Sequence, residues 1–530
     1  MIVTNPLLPG CYPDPSVCRV GDDYYLVTST FAYLPGLPVL HSRDLATWEQ
    51  IGHVVDRPGQ LDLTGIASSG GLYAPTLRHH DGVFWLIGTL VVRDGDRRPA
   101  GARDGTFVMT ATDPAGPWSD PAWLDVDGID PSLLFDDDGR VWAHGTRLAA
   151  DPEWDQQTEV WVRELDPVAR ALVGPEHVVW TGAVRGAVWA EGPHLYRVDG
   201  RYLLLAAEGG TEFHHAVVVA VADEVTGPYR GNPGNPVLTH RHLGRSVDVV
   251  GTGHADLVQA ADGSWWAVLL GMRLCGGYHY PLGRETFLVP VTWEDGWPVL
   301  APGVGRVPAE VDVPSAVDAG RPRSAVQGGA SGPVPPDDLR WTAVRALPSE
   351  VATPAADGWD LPLRPVTLAD VADGSPAFVG IRLQHHHADL RAVVAAPLTG
   401  TEEAGLAVRQ SERDHVRLAV SVAADGGRRV VAVHRRAGTD HEVGAVTLPG
   451  PVDAPTTLGV EGRGAALHLT AADGDDTPVR VATVSTGDLD SVAAGGFLGL
   501  WLGPYATSAG APTTTTAHVR ALTYAPVPAP

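Results

Sequence analysis

Asn5-Pro6-Leu7-Leu8-Pro9-Gly10-Cys11-Tyr12-Pro13-Asp14-Pro15 is the stretch from which the rest of the chain is read. Its four prolines and one glycine hold it extended and irregular, because proline fixes φ and cannot donate a ladder hydrogen bond. Asp14 is clamped between two of those prolines. Ser16 to Val20 then alternate as a strand does, Gly21-Asp22-Asp23 turn the chain, and Tyr24 to Thr30 form a second strand. The unit is an acid at the mouth of a strand, followed by a hairpin.

A similar unit recurs four times. Ala74-Pro75-Thr76-Leu77 leads to Asp81-Gly82, Asp130-Pro131-Ser132-Leu133 to Asp138-Gly139, Glu191-Gly192-Pro193-His194 to Asp199-Gly200, and His254-Ala255-Asp256-Leu257 to Asp262-Gly263. An apolar run follows each Asp-Gly, the dipeptide favoured in tight hairpins. The lead residues recur about every 60 residues, which marks a repeat architecture. Five all-β units of this size predict a five-bladed β-propeller over residues 1–302. The lead residues Asp14, Ala74, Asp130, Glu191 and His254 then share one central channel, and three carboxylates converge there. Asp-Pro and Glu-Gly-Pro also form turns, but Ala74 and His254 at equivalent positions show that the blade does not demand an acid.

Residues 303–337 are rich in proline and glycine and read as a linker. From 338 to 530, segments such as Leu390 to Ala395, His415 to Val420 and Arg429 to His434 alternate with period two between Gly-Asp turns. They predict a second all-β domain, a two-sheet sandwich. Its segment Gly499-Leu500-Trp501-Leu502-Gly503-Pro504-Tyr505-Ala506-Thr507 is expected to break the strand and offer Trp501 or Tyr505 as a contact ring.

The 530 residues carry 63 acidic and 38 basic side chains, a net charge of −25. That argues against nucleic acid and anionic membrane surfaces as partners, both of which need basic patches. Sixteen Trp and 12 Tyr against 8 Phe suit a sugar-binding cleft. No apolar run reaches the roughly 18 residues of a membrane span. The start of the chain has no secretory pattern, and three cysteines lack metal spacing, so a reducing, cytoplasmic setting is expected. Oligomeric state is not encoded legibly, and a homo-oligomer is compatible with the sequence.

Two carboxylates across a cleft, with a third nearby, suit glycosidic bond hydrolysis: one acid protonates the leaving oxygen while an ionised one attacks or activates water. The motifs also carry a resemblance. Asn5-Pro6 through Asp14-Pro15-Ser16, Ile129-Asp130-Pro131-Ser132, Glu191-Gly192-Pro193-His194, Gly253-His254-Ala255-Asp256 and Pro281-Leu282-Gly283-Arg284-Glu285-Thr286 together resemble glycoside hydrolase family 43, in its two-domain β-xylosidase and α-L-arabinofuranosidase branch. Gln384-His385-His386 and Glu402 to Leu406 are similar to that branch's C-terminal concanavalin-like sandwich.

The resemblance implies an exo-acting, inverting hydrolase that releases terminal xylose or arabinofuranose from small oligosaccharides. It implies Asp14 as general base, Glu191 as general acid and Asp130 as the third acid that tunes Glu191. In the terminal subsite it implies Arg284 on the sugar hydroxyls and Phe31 as an apolar wall. Tyr73-Ala74 stands where relatives often have tryptophan before Ala-Pro, which leaves the pentose preference open. His254 is implied to lie near a water or a divalent ion such as Ca2+ on the channel axis, although one histidine is a thin donor set; no cofactor is required. A sandwich loop is implied to wall the pocket, and Tyr505 is the ring expected there. Two other readings fit five blades: a retaining, fructosidase-type hydrolase, and a carbohydrate-binding propeller without catalysis.

Overall fold

The computed structural model describes residues 1–93, 96–313, 332–372 and 374–529. Five antiparallel sheets follow one another along residues 16–300, four of them four-stranded and the fourth five-stranded. Their innermost strands are Ser16–Val20, Gly71–His80, Ile129–Phe135, Glu191–Val198 and Val249–Gln259. The chain is an all-β five-bladed propeller followed by a concanavalin-like sandwich.

Each lead residue sits at a local irregularity. The inner ladders slip register between Tyr73 and Thr76, Ile129 and Ser132, Glu191 and His194, and Gly253 and Asp256. A bulge bends a strand and re-aims a side chain, and here it falls at the lead residue of four blades, while Asp14 lies just ahead of an unbroken ladder. Asp14, Ala74, Asp130 and His254 have φ of 55°, 32°, 53° and 48°, while in the fourth blade Gly192 takes the left-handed conformation at 55°. Non-glycine residues held there cost on the order of 1 kcal/mol or more each.

Among the described residues no strand is shared between the first and last blades, and side chains and the N-terminal stretch hold the ring together. Ile2–Thr4 pairs with Glu310–Asp312, within a region the sequence reads as linker. Asn5 donates to the carbonyls of Leu288 and Pro308, and Leu8 bridges Thr286. Within the channel, Asp256 receives Ser16 Oγ at 2.7 Å, Tyr196 Oη at 2.5 Å and Arg78 Nη1 at 2.9 Å. Arg78 and Ser132 both reach His194 Nδ1 at 3.0 Å. All five blades thus contribute to one buried polar network, and its ion pair is well hydrogen-bonded as burial requires.

The sandwich packs two eight-stranded sheets over a core that includes Trp341, Trp359, Leu390, Leu418, Leu458 and Leu502. One sheet does not end inside the domain: Tyr33–Leu34, from the first blade, adds to its edge beside Thr342–Val344. The two domains therefore share a sheet. Of the expected linker, residues 314–331 lie outside the described residues; Gly332–Pro333 already pairs with Thr523 and Tyr524. No helix among the described residues is long and apolar enough to cross a membrane.

Candidate active site

Asp14 is 5% exposed at the mouth of the first inner strand. Ser29 Oγ donates to its Oδ2 at 2.6 Å, and the Ala74 N–H in turn donates to Ser29 Oγ at 2.7 Å. Ala74 itself is buried, so its backbone reaches Asp14 through Ser29. Arg284 Nη1 lies 2.8 Å from Asp14 Oδ1, and His254 Nδ1 lies 3.8 Å from the same atom. Burial alone would raise this carboxyl, but Arg284, then His254 and the Ser29 hydroxyl, more than offset it and hold it below the usual carboxylate range.

Glu191 has the opposite environment. Burial, then the charges of Asp130 and Asp14, push its carboxyl well above the usual range, against a smaller pull from Arg284. The chain enters it through an irregular segment pinned by the hydroxyls of Thr146 and Thr158, which both donate to the carbonyl of Ala190. Asp130 Oδ2 accepts the Gly192 N–H at 3.0 Å, which ties the third acid to the backbone beside Glu191. Burial raises Asp130 as well, although His254 and that N–H draw it back. The site therefore holds one carboxyl favoured as its anion and one favoured as its acid.

Arg284 spends Nη1 on Asp14 and on Thr211 Oγ1 at 3.2 Å, while its buried Nε has no partner among the described residues. Two rings flank its guanidinium, Phe31 and Phe497, each 5.4 Å from Cζ. Tyr73 stands edge-on to Phe31 at 5.0 Å and to Phe497 at 6.0 Å, with its hydroxyl on the Ser69 carbonyl.

Phe497 belongs to the sandwich and was not singled out from the sequence. Its N–H donates to Ser69 Oγ at 3.0 Å, and Gln410 holds the preceding Gly495 carbonyl at 2.9 Å. Nearby, Gly283 (φ 77°) meets Gly499 so closely that an added Cβ would lie 2.7 Å from the Gly499 nitrogen. The sandwich backbone thus abuts the residue before Arg284.

The expectation for Tyr505 is corrected. Trp501–Thr507 is an unbroken strand, because Gly503 lets it pass within contact of the Val379 carbonyl and Pro504 is accommodated in the ladder. Tyr505 is 1% exposed and donates to Glu403 at 3.2 Å, packed in the apolar cluster that also holds Phe31 and Phe497. Trp501 stacks on Tyr33 at 4.2 Å and 7°, at the shared sheet. The wall comes instead from the turn just before that strand. Gly495-Gly496-Phe497, a ring beside two glycines, satisfies the same criterion that singled out Tyr505.

His254 packs against Gly192 and Asp14. Among the described residues, no group of three or more His, Cys, Asp or Glu side chains is placed to hold a metal ion. The donors around His254 therefore do not fit a protein-built cation site.

Residues 3–298 match Glycosyl hydrolases family 43, and residues 338–525 match the Beta xylosidase C-terminal Concanavalin A-like domain. A xylosidase/arabinosidase of Butyrivibrio fibrisolvens is 50% identical over 317 residues, 59% of each chain, so that match spans about three fifths of the relative's length. A non-reducing end alpha-L-arabinofuranosidase of Bacteroides ovatus is 37% identical over 97% of this chain and 93% of its own. The solved xylan beta-1,4-xylosidase of Bacillus halodurans superposes with a TM-score of 0.89 at 30% identity, covering 99% of this chain and 100% of that one.

Proposed function

The chain belongs to glycosyl hydrolases family 43, and from that premise we propose an exo-acting, inverting hydrolase that releases terminal pentoses from short oligosaccharides. The observation that carries the reading is the pair of opposed surroundings in one channel: Arg284 lies 2.8 Å from Asp14 and favours its anion, while Glu191 is buried beside Asp130 and Asp14, which favour its acid. Asp14, anionic beside Arg284, takes a proton from water as that water attacks the anomeric carbon. Glu191, protonated, gives its proton to the leaving oxygen on the other side. The bond to the aglycone breaks as the bond to water forms, and the anomer inverts. Asp130 keeps the proton on Glu191 by like-charge repulsion.

Phe31, Tyr73 and Phe497 wall the sugar, and the free Nε of Arg284 supplies a donor for its hydroxyls. The wall drawn from the second domain supports an end-on pocket over an open groove. Xylo- and arabino-oligosaccharides are the substrate class, as the names of both relatives suggest for those proteins. Three free cysteines suit an intracellular enzyme acting on fragments of xylan or arabinan.

Incubation with nitrophenyl β-D-xyloside and α-L-arabinofuranoside, followed by xylo-oligosaccharides and polymer, tests this. Single pentoses released with inverted configuration by proton NMR are expected. A retained anomer, or early longer oligomers from polymer, would overturn it.

A further inference from the structure

Glu191 carries the proton in the mechanism above, yet no described residue hydrogen-bonds its carboxyl. What faces it, 4.0 Å from Oε1, is Nε2 of His215. That nitrogen is buried and has no partner among the described residues. An orphaned polar atom in a fully buried side chain is costly and calls for an explanation.

The ring is fixed on every side. Its Nδ1–H donates to the Gly251 carbonyl at 3.1 Å; a carbonyl only accepts, so Nε2 is left as the bare acceptor. The ring lies flat on Gly253, where an added Cβ would sit 2.5 Å from its Cε1 and Nδ1. The backbone is held by the His215 N–H on the Glu212 carbonyl and by Thr239 Oγ1 on the His215 carbonyl. Burial pushes the imidazole down to about 3, so it stays neutral and keeps its lone pair. A packing residue needs neither a defined tautomer nor an unpartnered nitrogen 4.0 Å from a carboxyl oxygen.

We propose that His215 is a positioning residue for the catalytic acid, accepting the O–H of Glu191 through Nε2 when no leaving oxygen is present. Closing 4.0 Å to a hydrogen bond takes about 1 Å, within reach of a side-chain rotation of Glu191. The proton stays on Glu191 in this resting bond. It passes to the glycosidic oxygen on bond cleavage, and solvent restores it afterwards; His215 never becomes a cation. Only the protonated acid can make this bond, so His215 orients the form that does the chemistry.

The inference rests on the glycosidase reading and is tested through leaving-group dependence. His215→Phe keeps the ring and removes the acceptor; His215→Gln keeps an acceptor. Each is compared with the unaltered enzyme on a pentobiose, whose leaving oxygen needs protonation, and on the dinitrophenyl pentoside, whose leaving group does not. General acids contribute roughly 10²–10⁴-fold, and loss of orientation is expected to remove about tenfold of that. H215F should lose about tenfold in kcat on the pentobiose and less than about twofold on the dinitrophenyl substrate, with H215Q in between. Equal losses on both substrates mean a packing role, and no loss on either means no role; each overturns the proposal. If H215F does not fold, as judged by its melting transition, H215Q decides by the same selectivity. An unaltered enzyme that cleaves neither substrate removes the glycosidase reading itself, a result visible before any variant is compared.

Discussion

Replacing Arg284 by methionine removes the cation 2.8 Å from Asp14 and leaves two flanking rings in place. With that N···O distance the charge centres lie about 4 Å apart. Their interaction is worth about 4 kcal/mol at an effective dielectric of about 20 and about 1 kcal/mol in water. Asp14 is only 5% exposed, which places the pair toward the larger figure. At about 1.4 kcal/mol per pH unit, the Asp14 carboxyl should rise by roughly 1–3 units. A general base works as its anion, so activity disappears as pH falls through its pKa, and raising that pKa moves the acid limb of kcat/KM to higher pH. Arg284→Lys loses the planar fork for sugar hydroxyls but keeps the charge, so its limb should stay near the original. Both variants should lose rate, and only R284M should move the limb. The assay is a pH profile of kcat/KM on a nitrophenyl pentoside, with a melting transition to confirm folding, since an uncompensated buried charge destabilises by about 3–5 kcal/mol. An acid limb that stays put in R284M would refute the assignment of Asp14 as a base held ionised by Arg284.

Two further outcomes follow from the same geometry. Asp130→Asn removes a charge that raises Glu191; the acid would then ionise at lower pH, so the basic limb should move to lower pH and kcat should drop, read from the same profile. Phe497→Ala removes ring contacts to Phe31 and Tyr73 and the face beneath Arg284 and Arg93. Those contacts, at about 0.5–1.5 kcal/mol each, belong to the folded enzyme and Phe497 is partly buried, so the melting temperature should fall, and kcat/KM should fall as well because the wall beside Arg284 opens; an unaltered kcat/KM would remove the sandwich from the pocket.

The propeller was legible because each blade repeats its own instructions. The lead residue, the hairpin (Asp-Gly in the last four blades) and the apolar run lie within about 20 residues of one another, and such local signals survive without knowledge of the fold. Equivalence among blades then places Asp14, Asp130 and Glu191 in one channel, although they are far apart along the chain. Other assignments, such as the roles of Arg284 and Phe31, came from resemblance to a family. What the residues alone could not give was the contact of Phe497 with Phe31, set by how the sandwich docks on the blades. Docking depends on the shared edge at Tyr33–Leu34, the Glu412 carboxylate on Ser68 and the Gly283–Gly499 approach, each joining residues more than 200 positions apart. The same limit applies to the expected ring: composition marked the neighbourhood, but the ladder with Glu403–Arg409 holds Tyr505 on Glu403, while Phe497, ahead of that ladder, stands over Arg284. Protonation was decided there too. Aspartate and glutamate start with nearly the same affinity for a proton, and only the placement of one guanidinium and two further carboxylates, in a site dry enough for charges to be felt, separates Asp14 from Glu191.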